Sequence, residues 1–462
     1  MDLGQYKNLL KEGRILYSDY QIPGYVSVLP YGAAMKGLFF GIIEKEMKNI
    51  GYEKYEFPMI IPESFLAKQK KMEDFSKGVL WISEAGKIKL KERWYLRPSG
   101  EGAIYPVVKN WIRSYKDLPL KILCLDNFFR RPLPNKYPFI AGSGKIMLEG
   151  HSFFINEFEL INEIKLVSKT IKKIFKSLCI DTLLVELPKE GNKDISEKTW
   201  GLMTVLPSGK GLMLFTAYNQ GERYSRLLGI HYKNDKNDSV FVKQTCYGLT
   251  ERPIGAQFLQ FADERGIVIP PKICPIHVAI ICFKKGKEIE KNCLELEKEI
   301  EKIGLKSKLF FSSGKERLFE ITEKQGIPLR ICYGPKEIKE GGFEIYNRVI
   351  NKKINSDINK LSQDIQNEIC LIEKFLFKKS GDIIKEYISE SNLKKNILSN
   401  LKNQRISKIS YCGSKECREA LISDNKGELL GIAVDSDLKR IKGDKCMICK
   451  KEGFISYYGL RM

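Results

Sequence analysis

Apolar residues early in the chain recur at helical spacing. The pattern steps by three and four through Met35, Leu38, Phe39, Ile42, Ile43, Met47 and Ile50. Gly51 then ends it, which predicts one long amphipathic helix. The following stretch, YEFPMIIPESFL (55 to 66), has the composition of a strand. Because Pro58 cannot donate a backbone hydrogen bond, we expect this strand at a sheet edge or an interface.

The pattern changes twice further along. From 94 to 260, short apolar stretches such as LKILCLDNFF and KIMLEGHSFF alternate with glycine and proline turns, which predicts a mostly antiparallel sheet covered by helices. After residue 275 a strand, HVAIICF, precedes a helix that ends at Gly304. We therefore expect an α+β unit over 1–270, a separate α/β domain over 275–378, and a third, lysine-rich unit over 380–462.

Composition narrows the class of protein. The chain has 462 residues, enough for two or three domains. Its net charge of +21 fits either a solvated lysine-rich surface or a polyanionic partner. The N-terminal MDLGQYKNLL lacks the features of a signal peptide, and no apolar run approaches the ~20 residues that cross a bilayer. We expect a cytoplasmic protein without membrane segments.

Four of the twelve cysteines are clustered near the end of the chain. Cys412-x4-Cys417 is followed, after 28 intervening residues, by Cys446-x2-Cys449. Two close pairs of thiolates are typical of a closed tetrahedral zinc site, so we expect a structural Zn²⁺. The other eight cysteines are scattered, and we expect them to be small core residues.

The segment 124 to 154 raises the possibility of a phosphate site. None of the Gly-Lys pairs has the spacing of a P-loop. The alternative is a hairpin joined by PLPNKYP, which would bring Arg130 beside one face of the second strand. Because strand side chains alternate, that face would carry Ala141, Ser143, Lys145, Met147, Glu149 and His151. A plain solvent-facing strand is the competing interpretation.

Three longer strings favour the functional interpretation. They are LRPSGEGAIYPVVKNWIRSYKDLPLK (96 to 121), the segment from LDNFFRR to LEGHSFF, and TCYGLTERPIGAQFLQFADERGIVIPP (245 to 271). With these strings the chain resembles the prolyl-tRNA synthetase family of class II synthetases, in its archaeal and eukaryotic form. The resemblance implies an antiparallel catalytic domain, an anticodon-binding α/β domain and a small zinc domain. It also implies a homodimer that uses ATP with Mg²⁺ to activate proline or a related amino acid and transfers it to tRNA.

The resemblance assigns roles to residues of the expected catalytic unit. Arg130 would hold the ATP α-phosphate and the amino-acid carboxylate, and Arg252 the γ-phosphate. Thr216 would contact the nucleotide. The amino acid would be bound by Ser99, Glu101, Arg130, Glu149, His151 and Tyr218. Ser99 could instead, or in addition, be the N-cap of a helix over 101–114.

Several positions depart from the family pattern. Ala141 and Met213 replace an arginine and a glutamine that contact ATP, and Pro132 stands where a glutamate is usual. Lys145 and Met147 replace aromatic walls of the proline pocket, and Tyr218 replaces a histidine. The family's terminal tyrosine, which returns to the active site, is also missing from SYYGLRM, so the sequence gives little support for that contact.

These departures leave three interpretations open. The first is a prolyl-tRNA synthetase. The second is a paralogue that activates a non-proline amino acid or uses a non-tRNA acceptor. The third is a catalytically inactive tRNA-binding protein. Arg130, Arg252, Glu101, Glu149 and Thr216 are retained, which argues against complete loss of the site.

Overall fold

The computed structural model describes residues 1–69, 78–131, 136–189, 195–283, 286–311, 315–422 and 427–462. The first 270 residues contain seven α-helices and fourteen strands within the described ranges. The helices are α1 (Leu3–Glu12), α2 (Pro30–Asn49), α3 (Glu63–Gln69), α4 (Glu101–Trp111), α5 (Glu157–Ser177), α6 (Arg223–Leu228) and α7 (Arg252–Phe261). The strands are β1 (Leu16–Tyr17), β2 (Ser27–Val28), β3 (Glu53–Lys54), β4 (Ile60–Pro62), β5 (Leu80–Ala85), β6 (Ile88–Leu96), β7 (Leu120–Phe129), β8 (Gly144–Phe154), β9 (Leu183–Glu186), β10 (Lys198–Val205), β11 (Gly211–Gly221), β12 (His231–Lys233), β13 (Ser239–Phe241) and β14 (Lys243–Thr250).

The predicted amphipathic helix is α2, which begins at Pro30, five residues before the first apolar position of the pattern. Proline suits the first turn of a helix because no intrahelical partner is lost there. The buried positions of α2 include Met35, Phe39, Ile43 and Met47, which confirms the spacing argument. The strand expected over 55–66 is confirmed only for β4, since α3 takes over at Glu63.

The next part of the chain forms a mixed sheet with helices. Its strands are β15 (Val278–Cys282), β16 (Ser307–Phe311), β17 (Leu329–Tyr333), β18 (Phe343–Asn347) and β19 (Lys352–Ser356). Its helices are α8 (Lys287–Lys302), α9 (Lys315–Lys324), α10 (Pro335–Glu340) and α11 (Leu361–Tyr387). The strand order is β16-β15-β17-β18-β19, with β15 parallel to both neighbours and β18 antiparallel to β17. This is an α/β arrangement.

The remaining elements are β20 (Ile388–Glu390), α12 (Lys394–Lys402), β21 (Ile406–Tyr411), α13 (Lys415–Ile422), β22 (Glu428–Ala433), β23 (Lys442–Lys445) and β24 (Glu452–Gly459). They continue the first sheet, because β22 pairs antiparallel with β9 through Ile432 and Glu186. The resulting 12-stranded sheet runs β20-β21-β24-β22-β9-β10-β11-β14-β8-β7-β3, and β23 pairs with β24. The expected third unit thus shares its sheet with the first.

The central strands β8, β14, β11 and β10 form the scaffold of the first unit. Helix α5 covers one face of them, with its buried positions including Leu160, Ile164, Val167 and Ile171. Its N-cap is Asn156, whose side chain accepts a hydrogen bond from the Glu159 backbone N–H. The other face of these strands carries the cavity described below. No helix among the described residues has the length and apolarity that a bilayer crossing requires.

Candidate active site

Strands β7 and β8 form the predicted hairpin. They pair antiparallel from Leu120↔Phe153 to Phe129↔Gly144, so the connection between them is longer than PLPNKYP. Lys145, Met147, Glu149 and His151 alternate onto one side of β8 and line one cavity, as strand geometry predicts. The prediction was wrong for Ala141 and Ser143, which precede β8 and lie outside the strand.

This main cavity has a volume of about 430 Å³. It brings together most of the predicted site residues, namely Ser99, Glu101, Arg130, Lys145, Met147, Glu149, His151, Met213, Thr216, Tyr218 and Arg252. Ala141 lines instead a smaller neighbouring cavity of about 300 Å³, which it shares with Lys145. Pro132 lies outside the described residues. The roles of these residues remain predictions.

Two guanidinium groups converge on the main cavity from different elements. Arg252 opens α7, and its Nε and Nη1 donate to the carbonyls of Ile140 at 3.0 Å and Met213 at 3.1 Å. Burial, then the nearby Arg130 charge, lowers the pKa of Arg252. The Arg130 backbone N–H donates to Ser143 O at 2.8 Å, and its Nη2 reaches Pro98 O at 3.5 Å. Because carbonyls do not neutralise a guanidinium, this part of the cavity favours an anion.

Buried carboxylates lie in another part of the same cavity. Glu101 begins α4, and burial, followed by the Glu149 charge, raises its pKa. Glu101 Oε2 is buried and accepts no hydrogen bond within the described part of the chain. A donor-rich cation such as an ammonium group would satisfy this oxygen. The cavity is therefore bipolar, with guanidinium groups and carboxylates aimed into one space.

The N-cap interpretation of Ser99 was wrong, because the N-cap position of α4 is Gly100. The Ser99 side chain instead hydrogen-bonds to the Glu101 carboxyl group. A Cβ atom on residue 100 would collide with Glu149 Oε2. Glycine at this position therefore lets the two carboxylates approach each other.

Sequence reasoning missed the side chains that hold His151. The hydroxyl oxygen of Tyr105, on α4, lies 3.1 Å from His151 Nδ1. The same hydroxyl donates a hydrogen bond to Gln220 Oε1 at 2.6 Å. On its other side, His151 Nε2 lies 3.4 Å from Glu149 Oε2. Tyr105 sits in an apolar helix pattern and Gln220 in a β-strand, so neither carried a chemical signal in the sequence. This buried row fixes the Glu149 carboxylate.

Lys145 lies between the two cavities and lines both of them. Burial, followed by the charges of Arg130 and Arg252, lowers the pKa of Lys145 to about 7. A lysine with this pKa is readily titrated near neutrality. Lys145 thus adds a positive charge that depends on pH to the charges of Arg130 and Arg252, which do not.

The segment after β24 also reaches the main cavity, although the residues SYYGLRM offered little support for such a contact. Arg461 and Met462 line it together with Arg130 and Arg252. The placement depends on the pairing of distant strands, so no local pattern could have revealed it.

The four clustered cysteines meet at the other end of β24. Their sulfur atoms all lie within 4.8 Å of one another, and Cys412 and Cys449 are 3.7 Å apart. A tetrahedral zinc–thiolate site with Zn–S bonds of about 2.3 Å places its sulfurs about 3.8 Å apart. The Lys450 N–H donates to Cys446 O at 3.0 Å, which closes a turn around the second pair. The four residues fit a structural metal ion.

Two family models match the chain and define its class. Residues 83–260 match the class II core domain of tRNA synthetases (G, H, P, S and T), and residues 277–368 match an anticodon-binding domain. The first range contains most of the residues that line the main cavity, and the second contains the mixed sheet. The chain therefore combines a class II aminoacyl-tRNA synthetase core with an anticodon-binding domain.

Full-length relatives define the family. The proline–tRNA ligase of Methanocaldococcus jannaschii is 30% identical over 392 residues, covering 83% of this chain and 86% of its own length. That of Methanosarcina mazei is 27% identical, covering 97% and 94%. The chain belongs to the proline–tRNA ligase family.

Solved structures share the fold. Prolyl-tRNA synthetase from Cryptosporidium parvum, complexed with halofuginone and AMPPNP, has a TM-score of 0.93 at 23% identity, covering 100% of this chain and 97% of its own. The Giardia lamblia enzyme in complex with prolyl-adenylate has a TM-score of 0.93 at 24% identity, covering 100% and 98%. The continuous sheet described above is thus embedded in a fold that these enzymes have in common.

Proposed function

We propose that the chain is an ATP-dependent proline–tRNA ligase that forms prolyl-adenylate in the main cavity and transfers the prolyl group to tRNA. The observation that carries this proposal is the bipolar cavity, in which Arg130 and Arg252 face the space also reached by Glu101 and Glu149. An amino acid needs its amine held by carboxylates while its own carboxylate lies beside a triphosphate. The relatives described above are named for this activity.

The geometry performs the reaction mainly by positioning. One oxygen of the amino-acid carboxylate forms a bond to the α-phosphorus, the bond from that phosphorus to the α–β bridging oxygen breaks, and pyrophosphate leaves with the electron pair. No general base is needed, because the attacking carboxylate is already ionised. Arg130 and Arg252 offset the charge that develops on the phosphate oxygens. Mg²⁺ bound to the triphosphate would contribute further positive charge when present.

The test is amino-acid-dependent exchange of pyrophosphate into ATP across all twenty amino acids, followed by transfer to total tRNA. Exchange with proline and formation of prolyl-tRNA is the expected result. A second candidate, activation of another amino acid, is favoured by Lys145 and Met147, which put a cation and a flexible side chain in the cavity instead of aromatic rings. Exchange with that amino acid alone would select it. Binding of tRNA without exchange by any amino acid would support the third interpretation, a catalytically inactive tRNA-binding protein.

The partners and the metal belong to the same proposal. We infer that tRNA is bound through the anticodon-binding domain and the net charge of +21, with affinity that falls as salt rises. A homodimer is supported by exposed apolar residues near β4 and β6, including Met59, Ile60 and Ile88. The four cysteines would hold Zn²⁺, which would stabilise the fold of the last unit and leave no open coordination position for catalysis.

Replacing Glu101 with glutamine should weaken amino-acid binding selectively. The amide keeps the shape but removes the charge that pairs with the substrate ammonium, so we expect the KM for the amino acid to rise by about tenfold or more. The KM for ATP should stay within about twofold. Steady-state exchange with each substrate varied in turn measures both KM values, with Glu84→Gln, at an exposed position, as control. Equal increases in both constants would contradict this role.

The raised pKa of Glu101 adds a pH dependence. A carboxyl group with a raised pKa is protonated at a higher pH than an exposed glutamate, so the amino-acid KM should rise as the pH falls through that range. The Glu101→Gln variant should lose this rise.

Lys145 should make ATP binding linked to proton uptake. Its pKa of about 7 leaves it largely neutral at pH 8, and a bound triphosphate would favour the charged form. Binding at pH 8 should therefore take up as much as ~1 proton, and ATP affinity should fall as the pH rises above 7. Calorimetry with a non-hydrolysable ATP analogue in buffers of different ionisation enthalpy measures the uptake.

The lowered pKa of Lys145 also makes the free energy of unfolding depend on pH. The unfolded chain binds the Lys145 proton up to its ordinary pKa of ~10.4, whereas the folded chain releases it near 7, so this group makes the free energy of unfolding rise with pH between those values. Lys145→Met should remove both effects, and Lys116→Met, at an exposed position, should remove neither. Undiminished proton uptake in Lys145→Met would contradict the assignment.

A further inference from the structure

Residues 460–462 enter the main cavity along a defined path. The Gly211 N–H donates to Leu460 O at 2.9 Å, and the Met462 N–H donates to Gly211 O at 3.1 Å. These two bonds tie the segment to the first residue of β11, the strand that also carries Met213, Thr216 and Tyr218. The segment is therefore anchored to the cavity wall by its backbone.

The anchor point is tightly packed. A Cβ atom on residue 211 would lie 2.9 Å from Met203 Sδ and 3.0 Å from Leu430 Cδ1. Upstream, β24 is paired on one side with β21 and on the other with β22. Strand pairing on both sides and close packing at Gly211 fix the direction in which Arg461 leaves the sheet.

The Arg461 side chain brings a third guanidinium to the cavity. Its charge contributes, after burial and Arg130, to the lowered pKa of Arg252, which places the guanidinium groups within electrostatic range of each other. Arg461 Nε pairs with Glu428 Oε2 at 3.3 Å. The side chains of that pair are 32% and 55% exposed, so the pairing is weak enough for a stronger anion to compete with it.

We propose that Arg461 binds the terminal phosphates of ATP and the departing pyrophosphate, beside Arg252. This rests on the adenylate-forming activity proposed above. As the α-phosphorus forms its bond to the amino-acid carboxylate, the electron pair of the broken bond moves onto pyrophosphate, and a guanidinium there stabilises the growing charge. The electrostatic link to Arg252 favours pyrophosphate over the 3′ end of tRNA as the group contacted.

A set of three variants tests the proposal. Arg461→Gln removes the charge, Arg461→Lys keeps it without the planar fork, and Glu428→Gln removes only the surface partner. Arg461→Gln should raise the KM values for ATP and pyrophosphate in the exchange reaction about tenfold, with the amino-acid KM unchanged. Arg461→Lys should recover part of the loss. Glu428→Gln should leave both KM values unchanged or lower them.

Direct binding separates this proposal from the activity on which it rests. Calorimetric titration of the full chain with inorganic pyrophosphate should give a Kd that is about tenfold weaker for Arg461→Gln than for the unchanged chain, whether or not any amino acid supports exchange. Equal affinities would overturn the role of Arg461. So would a Glu428→Gln variant that reproduces the Arg461→Gln defect, or a defect confined to transfer to tRNA. Absence of exchange by the unchanged chain would instead overturn the proposed function.

Discussion

Replacing Arg130 with glutamine is expected to slow amino-acid-dependent pyrophosphate exchange by at least about a hundredfold. Removal of one preorganised donor at a developing charge costs ~3 kcal/mol in water-excluded sites. Arg130 is placed to act on both reactants, since it lines the same cavity as the carboxylates and Arg252. Single-turnover formation of the adenylate measures the effect without interference from tRNA transfer.

The loss of exchange activity in Arg130→Gln should come from the chemical step and not from a loss of folding stability. The Arg130 side chain makes a long hydrogen bond of 3.5 Å to Pro98 O, whereas its backbone bond to Ser143 O does not depend on the side chain. The melting temperature of Arg130→Gln should therefore stay close to that of the parent. Arg226→Gln, on a side chain that is 63% exposed on α6, is a matched control and should leave exchange intact. Normal exchange by Arg130→Gln would remove the basis of the adenylation proposal.

Local pattern was sufficient for the elements that carry the site. The 3.6-residue period predicted α2, and the two-residue period of β8 predicted that Lys145, Met147, Glu149 and His151 share one face of the strand. All four line the main cavity. Both periods follow from backbone geometry and need no knowledge of the partner element. The strand prediction failed at Ala141 and Ser143, because periodicity does not show where a strand begins.

Long-range pairing could not be obtained from the sequence. The junction of β9 and β22 joins residues about 250 positions apart, and the apolar pattern of β22 would suit many partners. The same holds for Tyr105 and Gln220, which look like ordinary core positions until the fold brings them to His151. Arg461 is placed at the cavity by two backbone hydrogen bonds that join Leu460 and Met462 to Gly211. Backbone hydrogen bonds of this kind do not depend on residue type, so the sequence does not reveal them.

The alanine at position 141, where the family has an arginine, does not leave the main cavity without positive charge. An arginine is absent there, but Lys145, Arg252 and Arg461 all reach the main cavity. The positive charge of the site is thus distributed over other elements. Burial lowers the pKa of Lys145 to about 7, so only the arginines are charged at every working pH. We therefore expect Arg461, and not Lys145, to supply constant positive charge in place of the missing arginine.

The loss of the four-cysteine cluster is expected to affect both the last unit and the main cavity. Cys446→Ser removes a buried ligand, and structural zinc sites contribute folding free energy on the order of 10 kcal/mol in small domains. We expect the bound zinc to be lost and the melting temperature to fall on the order of 10 °C. Elemental analysis and thermal unfolding measure the two changes. Cys370→Ser, at an exposed cysteine on α11, should change neither.

The position of β24 determines how far this loss extends. The strand begins three residues after Cys449 and ends two residues before Arg461, so it connects the four-cysteine cluster directly to the main cavity. Because β22 also joins the same sheet through β9, unfolding of the last unit would expose an edge of the catalytic sheet. Partial loss of zinc should therefore weaken pyrophosphate binding in parallel with the loss of metal. A zinc-free chain with unchanged melting temperature and unchanged pyrophosphate affinity would show that β24 is held in place without the metal.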